Sequence, residues 1–193
     1  MSERAEQSSA ADLPSSAEKR EILDGYRRRF GLRTLVETGT LLGDTVEAMR
    51  RTFDRVVSIE LSEDLATRAR TRFAEHTNVV ILQGDSGLVL PAVLATLREP
   101  ALFWLDGHYS GDFQSPSRGF VKTARGELQT PVVNELKAVL AHDVSGHVIL
   151  VDDARLFDGT NDYPTVDEVR AIVGPGRHVT VERDIIRVEP GAA

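Results

Sequence analysis

The chain has 193 residues, a size suited to one domain with a full core, and its 41% apolar and 27% charged content is ordinary for a globular protein. A net charge of −7 argues against general binding to nucleic acid or anionic membrane, and the absence of cysteine excludes disulfides, thiolate zinc sites and cysteine nucleophiles. No apolar run reaches the length of a membrane span and the N-terminus has no signal-peptide core, so a cytoplasmic enzyme or binding domain is the expectation.

Residues 1–14 are rich in Ser, Ala and Glu and poor in large apolar side chains, which predicts a disordered tail ahead of one domain over residues 15–193. Ser15 or Ser16 then caps a helix running to Phe30, with Ile22, Leu23, Tyr26 and Phe30 on one stripe and Gly31 as its stop. The basic run Arg27–Arg29 reads as a solvated face.

A first strand, Thr34 to Glu37, leads through the turn Thr38-Gly39-Thr40-Leu41-Leu42-Gly43 into a short helix from Asp44 to about Thr52. A second strand, Arg55 to Leu61, carries Glu60, 23 residues after Glu37. Ser62 caps the next helix, with Glu63 and Asp64 in its first turn as the helix dipole prefers. A third strand, Asn78 to Gln83, ends at Gly84-Asp85-Ser86, and a helix follows to about Leu97 with Pro91 as an early-turn residue or a kink. A fourth strand, Ala101 to Leu105, ends at Asp106-Gly107-His108.

Residues 107–130 break the rhythm with Gly, Ser, Pro and Gln, and a loop of that length predicts a lid or binding segment. Thr130-Pro131 opens a helix to about His142, and a fifth strand, His147 to Val151, ends at Asp152-Asp153. A second loop precedes a helix from about Thr165 to Val173. Two last strands, His178–Glu182 and Ile185–Val188, form a hairpin across Arg183-Asp184.

Alternating strands and helices predict an α/β fold: one Rossmann-like, doubly wound sheet, mostly parallel, with an antiparallel C-terminal hairpin and helices on both faces. Ligands bind beyond the carboxyl ends of such strands. All five of those ends carry an acid: Glu37, Glu60, Asp85, Asp106 and the Asp152-Asp153 pair. One such acid is an ordinary turn residue, but five on one rim point to chemistry there.

The glycine turn is not a dinucleotide fingerprint, because G-x-G-x-x-G would need glycine where Leu41 and Asp44 stand. This counts against a nicotinamide-dependent dehydrogenase.

The stretch Glu37-Thr38-Gly39-Thr40-Leu41-Leu42-Gly43-Asp44-Thr45 resembles the E-x-G-x-x-x-G-x-S/T first motif of class I S-adenosylmethionine-dependent methyltransferases, in particular the small metal-dependent O-methyltransferases of the catechol and macrocin types. The resemblance covers roughly residues 32–189. It implies that Glu37, Gly39, Thr40, Gly43 and Thr45 form the cofactor turn and that Glu60, followed by Leu61, holds the ribose. It further implies that Asp85 and Ser86 meet the adenine and that Asp106 borders the cofactor. It also implies a divalent ion, Mg²⁺, on Asp106, Asp152 and Asp153, where converging carboxylates would otherwise repel one another.

One position departs from the family: Tyr109 stands where the catechol-type enzymes carry a lysine base. His108 is the nearest substitute for proton removal, with Asp106 beside it. His76, His142, His147 and His178 read as structural or solvated. The implied reaction is O-methylation of a small-molecule hydroxyl, with Phe113, Phe120 and nearby basic groups of the long loop carrying acceptor specificity. No nucleic-acid or membrane partner is expected, and association as a homodimer stays open. The rival of a different kind is a domain of this fold that binds cofactor or a partner without turnover.

Overall fold

The structure, a computed structural model, describes residues 13–191, so most of the segment expected to form a tail lies outside the described residues. The first helix, α1 (Ser16–Phe30), begins at a capping box. Ser15 Oγ accepts the Glu18 N–H while the Glu18 carboxylate accepts the Ser15 N–H, and Gly31 closes the helix at φ 64°. Beyond it, β1 (Thr34–Thr38), α2 (Asp44–Met49), β2 (Arg55–Glu60), α3 (Glu63–Arg72), β3 (Val79–Gln83), α4 (Ser86–Leu94) and β4 (Ala101–Leu105) alternate as expected. Pro91 lies inside α4 on its exposed side, past the first turn.

Residues 107–130 are not all irregular. They include a small antiparallel hairpin, β5 (Phe113–Ser115) and β6 (Gly119–Val121), which alternation too short to register concealed. Then come α5 (Val132–Leu140), β7 (Val148–Val151), one 3₁₀ turn over Ala154–Leu156, α6 (Val166–Val173), β8 (Arg177–Glu182) and β9 (Ile185–Pro190). Arg183 and Asp184, both at positive φ, make the two-residue turn between the last strands.

The main sheet has the order β3-β2-β1-β4-β7-β9-β8. The first five of these strands pair in parallel, and β9 pairs antiparallel to both β7 and β8. Each strand feeds two cores, because successive side chains point to opposite faces. From β4, Phe103 and Leu105 pack with Leu90, Leu136 and Val139 of α4 and α5. Its Leu102 and Trp104 pack with Leu23, Val46 and Ala66 of α1 to α3 and with Phe73 just past the end of α3. Burial on both faces explains why β1 and β4 are apolar runs without alternation. Strand order reverses between β1 and β4, which opens a crevice at their carboxyl ends.

Candidate active site

The turn after β1 runs against the end of β4. Gly39 has φ 85°, and a Cβ there would lie 2.6 Å from the Asp106 carbonyl oxygen, so no side chain is tolerated. At Gly43, φ 73°, a Cβ would meet the Phe73 ring at 2.9 Å, and the residue itself borders neither cavity described next.

A cavity of about 290 Å³ fills the crevice. Gly39, Glu60, Leu61, Asp85, Ser86 and Asp106, all expected at a cofactor, line it, together with Leu41. Glu60 is buried on its wall, where one carboxylate oxygen accepts the Leu41 N–H at 2.8 Å and the other the Ser62 N–H at 2.9 Å. Each oxygen keeps a further lone pair for a ligand hydroxyl. Asp85 caps α4 through the Gly87 N–H at 2.8 Å.

Glu37, Thr40 and Thr45 fall outside that cavity and border an adjoining cleft of about 200 Å³. Glu37 is buried, and burial above all pushes its carboxyl up to about 8, while hydrogen bonds from Ser58 and Thr45 pull it back. Ser58 Oγ donates to Glu37 at 2.5 Å and lies 2.6 Å from Thr40 Oγ1. Lys19 and Arg20 of α1 face the same cleft, and the buried Arg20 Nε has no hydrogen-bond partner among the described residues.

The acids of β4 and β7 meet at the far side of the main cavity. His108 stands between two of them, with Nδ1 3.5 Å from Asp106 Oδ1 and Nε2 3.5 Å from Asp153 Oδ2. Donor atoms of Asp106, His108 and Asp153 lie within 4.8 Å of one another. Asp152 borders the same cavity but is paired with the chain: Oδ2 accepts the Lys19 ammonium at 2.5 Å and Oδ1 the Asp153 N–H at 2.9 Å. Asp153 Oδ1 in turn accepts Arg155 Nη1 at 2.7 Å. Burial and then neighbouring carboxylates push Asp106 and Asp152 up from the ordinary carboxylate range, against the pull of Lys19. The expected metal triad therefore does not stand as three free carboxylates, since both Asp152 oxygens are engaged.

Beyond His108 a wider, polar cavity of about 560 Å³ opens between Tyr109, Gln129, Arg155, Asn161 and Tyr163. The β5–β6 hairpin reaches back over the cofactor turn. Arg118 donates to the Leu42 carbonyl at 2.7 Å and to Asp44 at 3.1 Å, beside Arg72, which donates to the same two groups. Phe113 and Phe120 line none of these cavities, and Phe120 is 64% exposed, so the aromatic contacts expected of the long loop are not at the crevice. The loop's contribution to the main cavity comes from its two ends: Gly107 to Ser110 on one side, and residues such as Thr123, Gly126 and Gln129 on the other.

At the opposite end of the sheet His147 is fully buried, accepts the Ala101 N–H at 3.0 Å and is held down at about 4 by burial. Its role is structural, as expected. Sequence reasoning missed Lys19, Arg20 and the Arg118 contact. The one available signal was that Lys19 is among only three lysines in a chain with 20 arginines.

No family profile matches the chain. A stretch of 88 residues is 35% identical to a ribosomal RNA small subunit methyltransferase A of Acidobacterium capsulatum; it covers 46% of this chain and 30% of that protein, so the match spans less than a third of the relative. Among solved structures, an O-methyltransferase from Bacillus cereus in complex with S-adenosylhomocysteine superposes with a TM-score of 0.61 at 21% identity, covering 93% of this chain and 86% of that one. The O-methyltransferase TomG from Streptomyces achromogenes, in complex with S-adenosylmethionine, gives 0.61 at 20%, over 93% and 82%. A methyltransferase from Podospora anserina bound to S-adenosylhomocysteine gives 0.60 at 17%, over 96% and 83%. The chain has the class I methyltransferase fold.

Proposed function

We propose that the protein is an S-adenosylmethionine-dependent methyltransferase acting on a hydroxyl oxygen of a small molecule. One observation carries the reading: buried Glu60, fixed by the Leu41 and Ser62 amides, faces a cavity that runs from the Gly39 turn to the acid-and-histidine corner. Glu60 would take the ribose hydroxyls and Asp85 with Ser86 the adenine. The cleft beside it sets the cations Lys19 and Arg20 near the Glu37 carboxyl, donors and an acceptor that suit the carboxylate and amine of the cofactor's amino-acid end.

Transfer is an in-line displacement. The acceptor oxygen forms a bond to the methyl carbon as the carbon–sulfur bond breaks, and sulfur keeps the electron pair as a thioether. His108, as the neutral imidazole, would take the acceptor's proton on its unprotonated ring nitrogen, and the carboxylates of Asp106 and Asp153 on either side would orient the ring and hold both N–H groups of the imidazolium so formed. Positioning supplies much of the acceleration in such a reaction, and the hairpin, tied down by Arg118, would exclude water.

The Mg²⁺ that the resemblance implies fits poorly. Its expected set of Asp106, Asp152 and Asp153 already carries an ammonium on Asp152, whose charge opposes a second cation beside it, and the donor left beside Asp106 and Asp153 is an imidazole, which suits a hard ion badly. The proton and the positive charge are therefore assigned to the chain's own His108 and Lys19.

Two facts support a small acceptor over RNA: the charge of −7, and a polar cavity of limited size beyond His108. The test is calorimetric titration with S-adenosylhomocysteine and NAD, followed by labelled methyl transfer to small phenols and alcohols and to ribosomal RNA. Binding of NAD alone would overturn the reading. Transfer to RNA alone would move the acceptor to the class of the Acidobacterium relative, and cofactor binding without any transfer would favour a binding domain.

A further inference from the structure

We propose that Lys19 is the resident cation of the acidic corner, standing where the resemblance calls for a divalent metal, and that the corner works without a metal ion. What the corner acts on rests on the methyltransferase reading; the cation assignment rests on geometry alone.

The ammonium contacts Asp152 Oδ2 at 2.5 Å and lies 3.9 Å from Asp153 Oδ1. With the Asp153 amide on Asp152 Oδ1, both oxygens of that carboxylate are already engaged, and an ion brought to either would stand against the ammonium's charge. Asp153 is held from its other side by Arg155. A metal recruited to Asp152 must displace an ammonium at hydrogen-bond distance. A metal held by Asp106, His108 and Asp153 alone must share Asp153 with an ammonium and a guanidinium, and like charges so close oppose it.

Lys19 is not a surface side chain that has strayed inward. The helix bearing it is fixed at both ends: Glu18, one residue before, closes the capping box and pairs with Arg183, and Tyr26 donates to Glu189 at 2.7 Å. Leu23, one turn on, is buried in the core. A compact ammonium also suits the place better than the planar guanidinium this chain otherwise prefers, because it can sit as a point charge among carboxylates of different planes. Lys19 borders both the main cavity and the adjoining cleft, so its charge faces the reacting region as a metal's would. There it offsets the crowded negative charge of the corner and favours the acceptor oxygen as it loses its proton.

The experiment uses the full chain, stripped with EDTA, and the variant K19M, which keeps the stem and removes the charge. Mn²⁺ is titrated into each by calorimetry, and melting is followed with Mg²⁺, with Mn²⁺ and with EDTA. The wild type is expected to show no Mn²⁺ binding and no change in melting. In K19M the freed Asp152 is expected to join Asp106 and Asp153, so that Mn²⁺ binding appears where the wild type shows none. Stoichiometric Mn²⁺ binding to the wild type, or equal Mn²⁺ affinity in both proteins, overturns the proposal. Should K19M fail to fold, the wild-type titration decides by itself. S-adenosylhomocysteine titrated into the same EDTA-treated wild type tests the underlying reading separately: no binding there removes the methyltransferase assignment and leaves the cation result standing.

Discussion

The Leu41 amide donates to Glu60 Oε2 at 2.8 Å, and Leu41 adopts φ 48° to do so, a left-handed conformation that a branched residue takes at some cost. The turn after β1 is thus shaped around the acid that ends β2. Removing the acid loses two things together, the proposed ribose acceptor and the anchor of the turn. Glu60→Ala is expected to weaken S-adenosylhomocysteine binding by about 2–3 kcal/mol, as for charged hydrogen bonds. Calorimetry finding wild-type affinity would remove Glu60 from the cofactor site.

Gly39→Ala places a Cβ 2.6 Å from the Asp106 carbonyl, a backbone atom that cannot swing aside. A loss of about 2–4 kcal/mol in urea unfolding is expected. Gly111→Ala is the control, since its φ of 76° faces open space and strain alone should cost about 1–2 kcal/mol. Equal losses would mean that contact with β4 does not matter.

Stability should fall as pH rises through neutrality. Burial pushes Glu135 up to about 7 and Glu37 up to about 8, from 4.5. Between those values the folded state holds protons that the unfolded chain has released, so stability is full below about pH 4.5 and is lost as pH climbs through 7 to 8. Ser86 and Thr38 draw near Glu135, but neither carboxylate oxygen closes to a hydrogen bond among the described residues. Glu135→Gln should therefore be more stable than wild type at pH 8, by roughly 2–4 kcal/mol. Chemical denaturation at pH 5.5 and pH 8 checks this, and identical pH slopes for the two proteins would refute it.

Arg118→Ala should free the hairpin from the Leu42 carbonyl and Asp44. Both partners are well exposed, so global stability should change by less than about 0.5 kcal/mol. The expected effects are faster proteolysis within residues 107–130 and a several-fold faster release of S-adenosylhomocysteine, read by stopped flow. An unchanged release rate would leave the hairpin with no part in gating.

His108→Ala should leave S-adenosylhomocysteine affinity near wild type and lower methyl transfer by about 10²–10⁴-fold, the usual worth of a positioned base. A fall in cofactor affinity with unchanged turnover would make His108 a binding residue.

The frame of the site was legible because parallel strands buried on both faces read as unbroken apolar runs, and the acids mark where each run leaves the sheet. Partnerships across the fold were not legible. Lys19 meets Asp152 across 133 residues of chain, and a lysine on a polar helix reads the same whether it faces water or a carboxylate. Gly43 matched a cofactor motif, yet its neighbour is Phe73, just past the end of α3. Nor could the pair Asp152-Asp153 announce that φ 56° at Asp153 turns the two carboxylates toward different partners.

The sheet's last strand in chain order is not its last in space. Because β9 inserts between β7 and β8, the backbone edge of β7 stays bare until residues 185–190 arrive, and β8, made earlier, cannot join the sheet without them. The bare edge would be Val148–Val151, four buried apolar residues beside an unpaired ladder, the kind of template on which chains associate wrongly. Completion of this protein thus waits on a late, non-local pairing, and partly finished copies carry their greatest risk of aggregation at β7.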